Sequence, residues 1–185
     1  MHSFERKFFG CGFGGQGVMV LGQLLAYGGI HENRHATWLP SYGPEMRGGT
    51  ANCSVVVSDD EVSSPFVNQA DVVAALNQPS IEKFECNVKK DGFLVYNTDI
   101  IVYRPTRDDI KVVPLHANEL AREAGSEKVM NVVVLGAVVA VCDLISHETA
   151  LSVIREKLGK KKPEFLEMNL KAYELGRKAG LAMLG

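Results

Sequence analysis

The apolar positions along the chain switch repeatedly between a run-like and a helical period. Lys7 to Cys11 is a short apolar run that ends in glycines, and after Gln16 the apolar Val18, Leu21 and Leu25 recur at helical spacing beside Gly22 and Gly29. That order predicts a strand, a glycine turn and a helix with small residues that let it lie close on a sheet. His35 to Leu39 and Cys53 to Val57 read as two further strands. Between them, Pro40 to Gly49 holds two prolines and three glycines, which predicts a loop because neither periodic structure continues through it. Val55 to Val57 is expected to pair antiparallel with its predecessor.

Asp71 to Leu76 predicts a buried strand, and Pro79 stands where the start of a short helix over Ser80 to Cys86 favours it. Asp91-Gly92 predicts a turn into a strand at Phe93 to Asn97, and Lys111 to Leu115 is another β-branched run followed by a helix at Ala117 to Ala124. The most apolar stretch, Val129 to Ile145, is interrupted only by Asn131 and Asp143. Its valines also permit a strand, but its length and a capping Ser126 favour a helix. A membrane span needs about 20 apolar residues, so this segment reads as a core or interface helix. Ser146 caps a helix over His147 to Leu158, and Pro163 opens a last amphipathic helix in which Leu166, Leu170 and Tyr173 share a face. The fold class expected is α/β: a three-layer, Rossmann-like α/β/α domain with a mostly parallel, mixed sheet. All of 1–185 is expected to form one domain, since 185 residues suit one sizeable core.

Charge and composition narrow the function. With 20 Lys+Arg against 22 Asp+Glu, the net charge of -2 argues against a nucleic-acid binder. Charged residues at 23% are ordinary for a globular protein. The N-terminus shows no secretory pattern, so a cytoplasmic chain with no membrane partner is expected. Cys11, Cys53, Cys86 and Cys142 are tens of residues apart, which predicts no iron–sulfur cluster or zinc on this chain. His2, His31, His35, His116 and His147 lack metal-ligand spacing, and no Ser/His/Asp arrangement is discernible. Lys157, Lys160, Lys161 and Lys162 read as a solvated helix terminus.

Two segments carry candidate chemistry. Gly10 to Gly17 contains G-x-G-x-x-G twice, as Gly10, Gly12, Gly15 and as Gly12, Gly14, Gly17, with Gln16 between the last two glycines. Such a turn lets backbone N–H groups approach a phosphate or carboxylate. It serves equally as a tight structural turn. The acid that a dinucleotide site wants after its next strand is misplaced, because Glu32 precedes that strand, and no P-loop Lys-Ser/Thr follows. The second segment combines Ser41, Tyr42, Glu45, Arg47, Gly48 and Gly49 in a stiff loop. It is either a surface that presents Glu45 or Arg47, or a connector braced by its own salt bridge.

Gly12 to Val18, then Thr37 to Cys53 with its run Ser41-Tyr42-Gly43-Pro44-Glu45-Met46-Arg47-Gly48-Gly49, closely resembles the gamma subunit of the 2-oxoacid:ferredoxin oxidoreductases. Val73 to Phe84 and Asn131 to Leu144 fit the same family, so the resemblance covers essentially the whole chain. It is nearer the 2-oxoglutarate and branched-chain types than the pyruvate type. The resemblance implies oxidative decarboxylation of a 2-oxoacid, 2-oxoglutarate favoured, with coenzyme A to acyl-CoA, carbon dioxide and reduced ferredoxin. It places thiamine diphosphate, Mg and iron–sulfur clusters on alpha and beta partner subunits or a small ferredoxin-like delta subunit. This chain would then hold no cofactor alone and be inactive by itself. Gly12, Gly14, Gly15, Gln16 and Gly17, with Ser41, Tyr42, Glu45, Arg47, Gly48 and Gly49, are expected to face the partners and help form the mouth where coenzyme A or substrate enters. The alternatives are a subunit of the aryl-pyruvate (indolepyruvate) oxidoreductase, a free nicotinamide-nucleotide domain, and a non-catalytic interaction domain.

Overall fold

The computed structural model describes residues 3–43, 49–160 and 162–185. Six strands form one sheet: β1 (Glu5–Phe13), β2 (His35–Tyr42), β3 (Thr50–Ser58), β4 (Ala70–Ala75), β5 (Val88–Asn97) and β6 (Lys111–Leu115). Their spatial order is β2-β3-β1-β4-β5-β6. β1, β4, β5 and β6 run parallel, while β3 is antiparallel to both β1 and β2. The mixed, mostly parallel sheet matches the expected class, and the Val55 to Val57 run pairs antiparallel with β2 as expected.

Helices cover the two faces unequally. α1 (Val18–His31), α3 (Ala117–Ala124), α4 (Met130–Val141), α5 (His147–Val153) and α6 (Leu166–Ala182) share one core with Phe8, Val55, Val57, Val72, Val95 and Val113. The opposite face, with Phe9, Val56, Val73 and Leu94, is covered by α2 (Gln78–Phe84) and by loop residues such as Ile101 and Ile110. The alternation of Phe8 and Phe9, and of Val55, Val56 and Val57, between these cores is the period of two that a strand buried on both faces requires.

Three expectations need correction. The loop between β2 and β3 begins later than Pro40, because Pro40 pairs with Cys53, Ser41 with Asn52 and Tyr42 with Ala51. β2 is an edge strand, where a residue without an N–H is tolerated, so the proline does not end it. Asp91-Gly92 lies inside β5, not ahead of it. Asp91 takes a φ of 62° at a break in the β4/β5 register, so the pair bends one strand like a bulge. Last, the helix from His147 is α-helical only to Val153 and continues as a π-helical turn over Ile154–Gly159. The apolar stretch settles as helix: Ser126 caps a short 3₁₀ turn, accepting from the Lys128 N–H, and α4 follows.

α4 and α6 touch backbone to backbone. A Cβ on Gly176 would overlap the Val133 carbonyl, and one on Gly136 would overlap the Tyr173 carbonyl. Small residues at this crossing are therefore required by the close approach. Among the described residues, no single helix is long and apolar enough to cross a membrane.

Candidate functional site

The carboxyl ends of the parallel strands all open on one edge of the sheet, the position at which open α/β sheets bind ligands. After β1 comes the glycine turn. Gly15 and Gly17 have φ of 94° and 81°, left-handed values that glycine adopts without strain. Gly17 is the N-cap of α1, and a Cβ there would lie 2.6 Å from the Asn131 side chain. Asn131 Nδ2 donates to the Gly17 carbonyl at 3.3 Å, so the start of α4 supports the turn from below.

Gln16 braces the turn. Its Oε1 accepts from the Phe13 N–H at 2.7 Å and from Asn77 Nδ2 at 3.1 Å, and its Nε2 donates to the Leu76 carbonyl at 3.0 Å. Both ends of this amide are committed to the protein, so Gln16 positions the turn and joins β1 to the end of β4. Asn77 in turn caps α2, accepting from the Ser80 N–H at 2.9 Å. The amides of Gly15 and Gly17, by contrast, donate to no backbone carbonyl among the described residues. Open space surrounds Gly14 and Gly15. Free N–H groups, the unpaired first-turn amides of α1 and the helix dipole together make an anion site.

Sheet topology brings the second segment to the same edge. Phe13 pairs with Thr50 and Tyr42 with Ala51, so the β2–β3 connection sits beside the glycine turn. The Gly14 N–H donates to the Gly49 carbonyl at 3.1 Å. Ser41 and Tyr42 end β2 on the exposed edge, Tyr42 being 67% accessible. Glu45, Arg47 and Gly48 lie outside the described residues.

A cleft of about 370 Å³ lies against the turn, lined by Gly15, Gln16, Gly17, Asn118, Lys128 and Asn131 among others. Asn118, Lys128 and Asn131 were not singled out as site residues from sequence. Asn131 did leave a signal there, as a polar break in the Val129 to Ile145 run. Across the cleft, Asn97 Nδ2 donates to Asn118 Oδ1 at 2.6 Å and Asp99 accepts from the Glu119 N–H at 2.9 Å.

Asp99, His116 and Glu119 place one potential ligand atom each within 4.8 Å of one another. The Asp99 oxygens are already engaged, one by His116 at 2.9 Å and one by the Glu119 amide. This trio is the cap of α3. Burial would raise the Asp99 carboxyl, but the backbone amides and His116 outweigh it and hold it below its ordinary value. Burial pushes the Cys53 and Cys142 thiols up to about 12 and raises Cys11 as well, so these groups are not nucleophiles. Glu32, displaced from the dinucleotide position, accepts from the Ser146 N–H at 2.6 Å and pairs with Arg34 at 2.8 Å.

A glycine turn with free amides at the carboxyl edge of a mixed α/β sheet defines an anion-binding α/β domain. The family is then given by comparison: residues 8–179 match the model of the pyruvate ferredoxin/flavodoxin oxidoreductase family, and the chain belongs to it. Ketoisovalerate oxidoreductase subunit VorA of Methanothermobacter marburgensis is 37% identical over 166 residues, which is 89% of this chain but 34% of the relative. The keto/oxoacid ferredoxin oxidoreductase gamma subunit from Geobacter sulfurreducens superposes with a TM-score of 0.81 at 30% identity, covering 97% of this chain and 99% of that one. The 2-oxoglutarate:ferredoxin oxidoreductase from Magnetococcus marinus, with 2-oxoglutarate, coenzyme A and succinyl-CoA bound, gives a TM-score of 0.86 at 25% identity over 96% of this chain and 31% of that one. The chain thus spans about a third of the length of two of these proteins.

Proposed function

We propose that the chain is the gamma subunit of a multi-subunit 2-oxoacid:ferredoxin oxidoreductase that converts a 2-oxoacid and coenzyme A to an acyl-CoA, carbon dioxide and reduced ferredoxin. The observation that carries this reading is the family match over 8–179 together with a near-complete superposition on a gamma subunit. Thiamine diphosphate on the partner subunits would supply the decarboxylation chemistry, and their clusters would pass the two electrons singly to ferredoxin. No cysteine cluster is needed here for that division of labour.

This chain's part is binding. The free amides of Gly15 and Gly17 and the N-terminus of α1 meet an anionic group of coenzyme A, while Gln16 keeps the turn in shape. Arg47, on the connection adjoining the turn, meets a second anion, either a coenzyme A phosphate or a partner carboxylate, and Glu45 orients it. As to the oxoacid, the 37% identity to a ketoisovalerate subunit supports a branched-chain substrate more than the 2-oxoglutarate expected from sequence.

The test is Arg47→Ala in the assembled complex, followed by coenzyme A and oxoacid kinetics. A rise of about tenfold in KM for coenzyme A, or loss of assembly, is the expected result. Normal assembly with unchanged kinetics would contradict the role given to Arg47.

A further inference from the structure

Beside the glycine-turn cleft, α1, the start of α4 and the Lys157–Phe165 region enclose a second groove, of about 650 Å³. The two share Val20, Lys128 and Asn131 as common wall. That volume lies within the range of small-molecule sites, about 300–1,000 Å³. The floor is apolar, from Val20, Leu24, Val129, Val132 and Leu158. Over it stand two aromatic rings and three ammonium groups. Lys157 Nζ lies 4.0 Å from the centre of the Tyr27 ring, and Lys162 Nζ 5.6 Å from that of Phe165. Lys128 and Lys162 have no ion pair among the described residues, and Lys157 shares Glu156 at 3.1 Å with His31.

No carboxylate lines the groove, so it carries an excess of positive charge over an apolar floor. Asn169 adds a buried amide: it is 8% exposed, and its Nδ2 donates to the Phe165 carbonyl at 2.9 Å. Its Oδ1 has no partner among the described residues, and it is not sealed from solvent. Each aromatic face is covered by a lysine that an incoming anion would draw off, freeing the ring for a planar group. Rings, detachable ammonium groups and a free carbonyl acceptor suit a base that carries phosphates.

We propose that this groove binds the planar base and phosphates of an adenine-nucleotide-type ligand. Tyr27 and Phe165 hold the base, Lys157 and Lys162 its phosphates, and Asn169 Oδ1 accepts from an exocyclic amine. Lys128 serves both clefts. Tyr27 is ten residues along α1 from Gly17, or roughly 15 Å, so one extended ligand reaches from groove to turn. Two sources share this chemistry: the nucleotide end of coenzyme A, which rests on the function proposed above, and a separate nucleotide.

The experiment is calorimetric titration of adenosine 3′,5′-bisphosphate into the purified chain and its Lys157→Glu/Lys162→Glu variant, with circular dichroism to show that both are folded. Saturable binding that weakens about tenfold or more in the variant is the expected result. Displacement by coenzyme A but not by pantetheine assigns the groove to the nucleotide end of coenzyme A. Displacement by ATP alone assigns it to a separate nucleotide. Absence of binding in the wild type, or equal binding in the variant, overturns the proposal. So does a variant that binds the bisphosphate normally yet fails to join partner subunits, because the groove is then a docking surface. If the variant still takes up coenzyme A as the wild type does, the groove falls while the glycine-turn reading stands.

Discussion

At the scale of single residues, Gln16 concentrates the most structure in the fewest atoms. Replacing it by alanine strips the Phe13 amide and the Asn77 side chain of their acceptor and the Leu76 carbonyl of a donor. Gln16→Ala should cost about 1–3 kcal/mol, measurable as a lowered denaturant midpoint. A midpoint equal to the wild type would show that water replaces the brace. Asp99 gives a pH-dependent counterpart. Its carboxyl is held below its ordinary value, so its stabilisation is complete above the unfolded-state value and is lost as pH falls through the folded one. Asp99→Asn should therefore be less stable than wild type at neutral pH, and the difference should shrink in titrations between about pH 5 and pH 2. A difference that does not change with pH would contradict this assignment. The residue types at the turn were visible in the sequence, since glycines at a strand-to-helix junction have few uses. The division of labour between Gly15 and Gly17, with free amides, and Gln16, with none, was not, because it depends on Leu76 and Asn77, some 60 positions away.

At the scale of elements, two contacts decide the architecture. The α4–α6 crossing has no room for a side chain at Gly176, so Gly176→Ala must push the helices apart at a cost of about 2–3 kcal/mol. A thermal melt checks this, and an unchanged Tm would mean that the crossing relaxes freely. On the other sheet face, buried Glu85 ties down the segment after β5. It accepts from the Thr106 N–H at 2.8 Å, the Arg107 N–H at 3.0 Å and the Tyr103 hydroxyl. Glu85→Ala should raise hydrogen exchange at Thr106 and Arg107 while the β4 and β5 amides stay protected. Uniform loss of protection would instead make Glu85 a determinant of global stability. Periodicity located nearly every element, because strands buried on both faces read as unbroken apolar runs and the capping residues Ser126 and Ser146 mark helix starts. It failed where position in the sheet overrides local preference. Pro40 is a strand residue only because β2 is an edge, and Asp91-Gly92 bends β5 because its partner strand continues past it.

At the scale of the whole molecule, the strand order puts the glycine turn and the end of the β2–β3 connection side by side, joined from Gly14 to Gly49. Sequence suggested that the two act together only through family resemblance, since roughly 30 residues and a helix separate them. The lysine-bearing groove was read as a solvated helix end, because Lys128 and Tyr27 meet Lys157 and Lys162 only in the fold. The family match and the incomplete character of the site point the same way: an anion-binding edge lies open where other subunits would supply the redox chemistry. The measurement that addresses this directly is reconstitution of the complex with and without this chain, assayed for oxoacid- and coenzyme-A-dependent reduction of a low-potential electron acceptor. Turnover that requires the chain, driven by a branched-chain 2-oxoacid or 2-oxoglutarate, is the predicted result. A complex that turns over fully without the chain, or a chain that joins no such partners, would contradict the proposed function.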